Sequence, residues 1–167
     1  MYAKWTPITY GITYNLNGGS GSHGNPTIYN IETPTITFVQ GSLTRYGYDF
    51  VGWDPISVPQ GSTGNKSTTA QWIPKSMYVY LDTNGGAPLE TEDFAGWYGA
   101  LYFDLGINTF TPVRSGYTFA GWFTQGSGGT QITESTTIQT ENTHTIYAQW
   151  TPINYSISYT LNGDSVS

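Results

Sequence analysis

The sequence predicts a mainly β protein built from small modules in tandem, with one short helix in the second module. Three observations carry this. A short Trp/Pro string recurs as Trp5-Thr6-Pro7, Trp72-Ile73-Pro74 and Trp150-Thr151-Pro152. An Asn-Gly pair follows each string at the same distance, as Asn17-Gly18, Asn84-Gly85 and Asn162-Gly163. Between string and pair, apolar and polar residues alternate with the period of two of a strand that buries one face. A string that returns three times in 167 residues is architectural punctuation, because catalysis rarely needs its parts in triplicate.

The spacing of the landmarks divides the chain. Residues 1–5 read as the last strand of a preceding, truncated repeat, 6–72 as a first module, 73–150 as a second, and 151–167 as the first strand of a truncated third. On this division the chain is a slice of a longer array, with any export signal outside the window.

Each module begins with the alternating strand. Ile8, Tyr10, Ile12, Tyr14 and Leu16 form its apolar face in the first copy, and Ile153, Tyr155, Ile157, Tyr159 and Leu161 in the third. Asn-Gly then supplies residues tolerant of positive φ, as a tight turn requires. The middle of the module varies. Residues 31–39, β-branched and interrupted by Pro34, predict extended chain. In the second module Phe94, Trp97, Tyr98 and Leu101 fall at i, i+3, i+4 and i+7 behind Thr91-Glu92-Asp93, which predicts an N-capped helix with Trp97 buried on its apolar face. Gly96 and Gly99 oppose that helix by about 1 kcal/mol each relative to Ala.

A second landmark follows, Gly47-Tyr48-Asp49-Phe50-Val51-Gly52-Trp53 and Gly116-Tyr117-Thr118-Phe119-Ala120-Gly121-Trp122, preceded by Arg45 or Arg114. Strict alternation places Tyr117, Phe119 and Gly121 on one face and Trp122 on the other, so a bulge or bend at Gly121 is expected to re-aim the indole. A Gly/Ser-rich loop and the Ala-Gln-Trp strand close the module.

Composition narrows the chemistry. Modules this small bury only about 60% of their unfolded surface, and 14 Tyr, 7 Phe and 6 Trp supply the bulky side chains that such cores need. Five Lys and Arg against 11 Asp and Glu give a net charge of −6 with no basic cluster, which argues against a nucleic-acid partner. There is no Cys, so disulfides and thiolate metal sites are excluded. No stretch is long and apolar enough to span a membrane.

The search for a catalytic or metal site returns little. His23 and His144 sit in loop-like surroundings and read as solvated. Glu90, Glu92 and Asp93, and the run Asp82-Thr83-Asn84, lack the spacing of a calcium loop and read as a helix start and a turn. No Ser or Thr has a base at recognisable spacing. Lys4, Lys66 and Lys75 are the only lysines, and none lies in a motif for an intramolecular isopeptide bond. No catalytic residue, cofactor or metal ligand is expected.

Gly116-Tyr117-Thr118-Phe119-Ala120-Gly121-Trp122-Phe123, the loop Gly126-Ser127-Gly128-Gly129-Thr130 and Tyr147-Ala148-Gln149-Trp150-Thr151-Pro152 resemble the Listeria–Bacteroides repeat, or internalin B-repeat. The resemblance spans the chain and implies a tandem of β-grasp-like modules in a large secreted or wall-attached bacterial protein. Departures are Asp54 after Gly52-Trp53, the shortened loop at residues 61–66, and the segment 94–101. The resemblance carries over no catalytic residues. The expected role is a semi-rigid extracellular spacer and adhesive stalk whose partners are neighbouring repeats. The rival is a module that binds a glycan or a host or matrix protein through exposed aromatics, with Trp97, Tyr98 and Tyr102 as the contact candidates.

Overall fold

A computed structural model describes residues 2–88 and 93–159. Its regular structure is mainly strand. The strands are β1 (Tyr10–Asn15), β2 (Ile28–Tyr29), β3 (Ile36–Thr37), β4 (Tyr48–Asp54), β5 (Ser57–Val58), β6 (Lys66–Pro74), β7 (Ser76–Asp82), β8 (Asp93–Trp97), β9 (Tyr117–Phe123) and β10 (His144–Pro152). They form two four-stranded sheets, of order β2-β1-β6-β4 and β8-β7-β10-β9, and a small β3-β5 pair.

The repeat is visible in the pairing. β1 runs parallel to β6 and β7 parallel to β10, so the first and last strands of each repeat lie side by side at the centre of a sheet. The landmark strand then joins antiparallel to the last strand, β4 on β6 and β9 on β10. Asn17 and Asn84 adopt φ of 49° and 48°, as the Asn-Gly turn demands. Each Asn side chain also reaches across its sheet, Nδ2 donating to the Ala70 carbonyl at 3.1 Å or the Ala148 carbonyl at 3.0 Å.

The expected irregularity in the landmark strand is present in both copies. Phe50 pairs with Trp72 and Gly52 with Gln71, leaving Val51 over; Phe119 pairs with Trp150 and Gly121 with Gln149, leaving Ala120 over. Gly52 and Gly121 take φ of 149° and 124°, a region that an L side chain rarely occupies. The extra residue turns the following Trp back onto the buried face. Trp53 then meets Phe50 edge-on at 5.8 Å between ring centroids, and Trp122 meets Phe119 at 5.5 Å.

The chain divides into two compact units. Unit 1 holds Met1–Met77 together with Ala95–Ala100 and Thr137–Thr143; unit 2 holds Tyr78–Phe94, Leu101–Thr136 and His144–Ser167. The core of unit 1 is Ile12, Tyr29, Phe38, Leu43, Trp53, Val58 and Ala70. Val79, Leu81, Tyr102, Ile107, Trp122, Ile132, Ile146 and Ala148 are buried in unit 2. Apolar burial of this kind is the main favourable term in the folding of each unit.

One expectation fails. The predicted helix over residues 94–101 is a strand, β8, followed by a turn at Tyr98 and Gly99; its proposed cap at Thr91 and Glu92 lies outside the described residues. Gly96 is buried and Gly99 has φ 84°, so the two residues that opposed the helix sit where a strand and a turn use them. The only helical pieces among the described residues are two 3-10 turns, Phe103–Leu105 and Ile107–Thr109. Of the strand expected within residues 151–167, Ile153, Tyr155, Ile157 and Tyr159 lie outside any strand and are exposed, and Leu161 lies outside the described residues. β1 and β7 each pair with the last strand of their own repeat.

Candidate functional site

The landmark residues build the same groove twice. In unit 1 the Arg45 guanidinium lies over the Tyr48 ring, 3.8 Å from its centroid, and in unit 2 Arg114 lies over Tyr117 at 4.1 Å. Tyr48 N–H donates to the Arg45 carbonyl at 3.0 Å and Tyr117 N–H to that of Arg114 at 3.1 Å, which fixes the turn between them. Trp72 and Trp150 form the floor, their indole N–H groups donating to the carbonyls of Leu16 (3.0 Å) and Thr83 (3.1 Å). Each indole also lies against a glycine, Gly19 or Gly86, so closely that an added Cβ would overlap its six-membered ring. The groove of unit 1 has a volume of about 400 Å³ and that of unit 2 about 510 Å³.

The two grooves differ in what covers their rim. In unit 1 the Tyr98 ring packs on Gly47 and meets Tyr46 and Tyr48 edge-on, at 5.6 and 5.5 Å between centroids. Glu141 Oε2 accepts from the Gly47 N–H at 3.2 Å and from Lys75 Nζ at 2.9 Å. The Lys75 ammonium and the Gly47 N–H hold the Glu141 carboxyl below the usual carboxylate range, and the Glu141 hydrogen bond holds Lys75 above its ordinary value. In unit 2 the corresponding glycine, Gly116, has open space where a Cβ would stand, and Ile153 takes the place of Lys75.

The three contact candidates have three different settings. Trp97, at the end of β8, is 49% exposed, so its expected burial on a helix face is incorrect; in a strand it points away from the neighbouring buried Gly96. Tyr98 is half-buried and belongs to unit 1. Tyr102 is buried in unit 2 at 5% exposure, its hydroxyl 2.7 Å from His144 Nε2 and its ionisation pushed up by burial. Neither histidine is free in solvent as expected. His144 bonds Tyr102, and His23 stacks on Tyr14 at 4.0 Å between centroids while its Nδ1 accepts from the Asn25 N–H.

Among the described residues the acidic side chains are not gathered into a site. Asp82 accepts from the Asn84 N–H at 2.8 Å, which makes it a turn residue; Glu90 and Glu92 lie outside the described residues. No group of three or more His, Cys, Asp or Glu side chains among the described residues could hold a metal ion. No helix among them is long and apolar enough to cross a membrane. The sequence gives no signal for Glu141: nine residues before its Trp the first repeat has Thr63.

Duplicated mixed sheets, each with an Arg/Tyr groove floored by a Trp, define a class of tandem repeat modules. The sequence profile of the Listeria-Bacteroides repeat domain matches residues 10–80 and again 78–149. The chain belongs to this family. It is 31% identical over 183 residues to a provisionally named Gly-rich membrane protein of Evansella cellulosilytica, with 95% of this chain and 20% of that protein covered. It is 33% identical over 172 residues to a second provisionally named membrane protein of the same organism, covering 95% and 24%. Internalin H of Listeria monocytogenes is 35% identical over 111 residues, covering 65% of this chain and 20% of its own length. The chain thus spans a quarter or less of the curated relatives it matches.

Proposed function

We propose that this chain is a non-enzymatic part of an extracellular repeat array on a bacterial surface, acting as a semi-rigid spacer and adhesive stalk. The observation that carries the proposal is connectivity. The chain passes between the two units five times, after residues 77, 94, 100, 136 and 143, where beads on a flexible linker would need one crossing. Several covalent passes restrict relative motion in a way that a Gly/Ser linker does not. Pro7, Pro74 and Pro152 add fixed φ beside each recurring Trp. The names of the relatives, membrane proteins and an internalin, support a surface location. We retain the β-grasp-like description of each module for its central parallel pair of first and last strands, and residues 6–72 and 73–150 as the repeating lengths.

Small-angle scattering on chains of two, four and six repeats tests the spacer. A semi-rigid array lengthens in proportion to repeat number, whereas freely jointed modules lengthen roughly as its square root. Square-root growth refutes the proposal.

Trp97 favours a second reading. A half-exposed Trp beside Tyr98 is the kind of aromatic a glycan or protein partner contacts. In that case Trp97→Ala weakens capture of the partner and leaves the fold intact.

A further inference from the structure

We infer that the groove of unit 2 is a docking surface for one more repeat of the same family, which lays an aromatic ring over Gly116 and offers a hydrogen-bond acceptor to its N–H. This rests on the array reading and gives its partner an address. The template is unit 1, where the glycine beside the equivalent groove, Gly47, is already covered. Its covering residues, Tyr98 and Glu141, come from Ala95–Ala100 and Thr137–Thr143, which the sequence places in the second repeat but which pack as part of the first unit.

Position by position, unit 2 presents the same receiving surface without a cover among the described residues. Gly47 is buried, and a Cβ there would overlap the Tyr98 ring; Gly116 is half-exposed, with nothing within 4 Å of the same point. The Gly47 N–H donates to Glu141, whereas no acceptor for the Gly116 N–H is found among the described residues. Val113, which lines the groove, and Ile153, whose N–H bonds the Gly116 carbonyl, are 68% and 41% exposed. Apolar surface of this kind, rimmed by Arg114 and the Gly116 amide, suits an apolar residue with a nearby acceptor.

The route of the chain argues for the next repeat as occupant. Lys75 N–H donates to the Gly47 carbonyl at 2.9 Å, and from there the chain enters β7, the first strand of the second repeat. Ile153 N–H donates to the Gly116 carbonyl at 2.9 Å, and from there the chain enters the Ile153, Tyr155, Ile157, Tyr159 and Leu161 pattern of a third. A third repeat therefore begins at the groove of unit 2 as the second begins at that of unit 1. Because Ile153 replaces Lys75, the new contact lacks an ammonium at that position and is more apolar than its template.

The test is amide hydrogen exchange on the 167-residue chain and on the same chain continued from Gly163 with residues 86–152, which appends a third set of landmarks. We expect the Gly116 amide to exchange at least about tenfold more slowly in the longer chain, and Tyr98→Ala in the appended copy to reverse this. An unchanged Gly116 rate with the third copy folded overturns the inference, while linear growth in the scattering series would leave the stalk standing. Protection of Gly116 that rises with concentration of the 167-residue chain also overturns it, in favour of self-association. Should the third copy not fold, the template itself is tested in the 167-residue chain: Tyr98→Ala with Glu141→Ala must deprotect Gly47, and a Gly47 rate unaffected by the pair overturns the inference.

Discussion

Glycine and tryptophan meet at Gly86 and Trp150, as they do at Gly19 and Trp72, and the contact is what ties each Asn-Gly turn to the far end of its repeat. Gly86→Ala must displace the Trp150 indole and strain its hydrogen bond to the Thr83 carbonyl. Overpacking of this kind costs about 1–3 kcal/mol, and a urea melt of the variant should show a loss in that range. Glu141 gives a residue-scale test in pH. Its carboxyl lies below the ordinary 4.5, so the stability it contributes is complete above about pH 4.5 and is lost as pH falls through its lower native value. Lys75 lies above the ordinary 10.5, so its contribution is complete below about pH 10.5 and is lost at higher pH. Glu141→Gln keeps an acceptor for Gly47 and removes the charge, so its acid-side loss of melting temperature should be smaller than that of the unaltered chain. Glu141 was not legible in the sequence, because its partners are far away in the chain and Thr63 stands at the matching position of the first repeat.

Strands were legible wherever both faces of the argument were local. The alternation of Ile8 to Leu16 predicted β1, Asn-Gly predicted its turn, and the misfit of Trp122 with strict alternation predicted the bulge beside Gly121. β8 was not legible. Phe94, Trp97, Tyr98 and Leu101 match a helical period by spacing alone, but β8 lies beside β7 in a sheet, and that pairing is tertiary information that a short window does not contain. The two Trp environments make the correction measurable. Trp97→Ala, at 49% exposure, should cost less than about 1 kcal/mol. Trp122→Ala, at 3% exposure and with its indole N–H donating to the Phe110 carbonyl, should cost about 3–5 kcal/mol. Equal losses from the two would contradict the assignment of β8. The candidate contacts were legible as residue types only: the sequence grouped Trp97, Tyr98 and Tyr102, while the fold exposes the first, half-covers the second and buries the third.

For the whole molecule, the repeat was legible because it is written three times, at Trp5, Trp72 and Trp150. The assignment of Ala95–Ala100 and Thr137–Thr143 to the first unit was not, since nothing in a linear repeat marks residues that leave their own module. With no cluster of metal-ligating side chains among the described residues, the melting temperature should be the same in EDTA, calcium or zinc; a ligand that bound only the native state would raise it by mass action. The proposal that the repeat array is semi-rigid is tested most directly by backbone 15N relaxation of the intact 167-residue chain. The account predicts one rotational correlation time, shared by the amides of β1, β4 and β6 and those of β9 and β10. Two distinct correlation times, each short enough for a single module tumbling on its own, would contradict it.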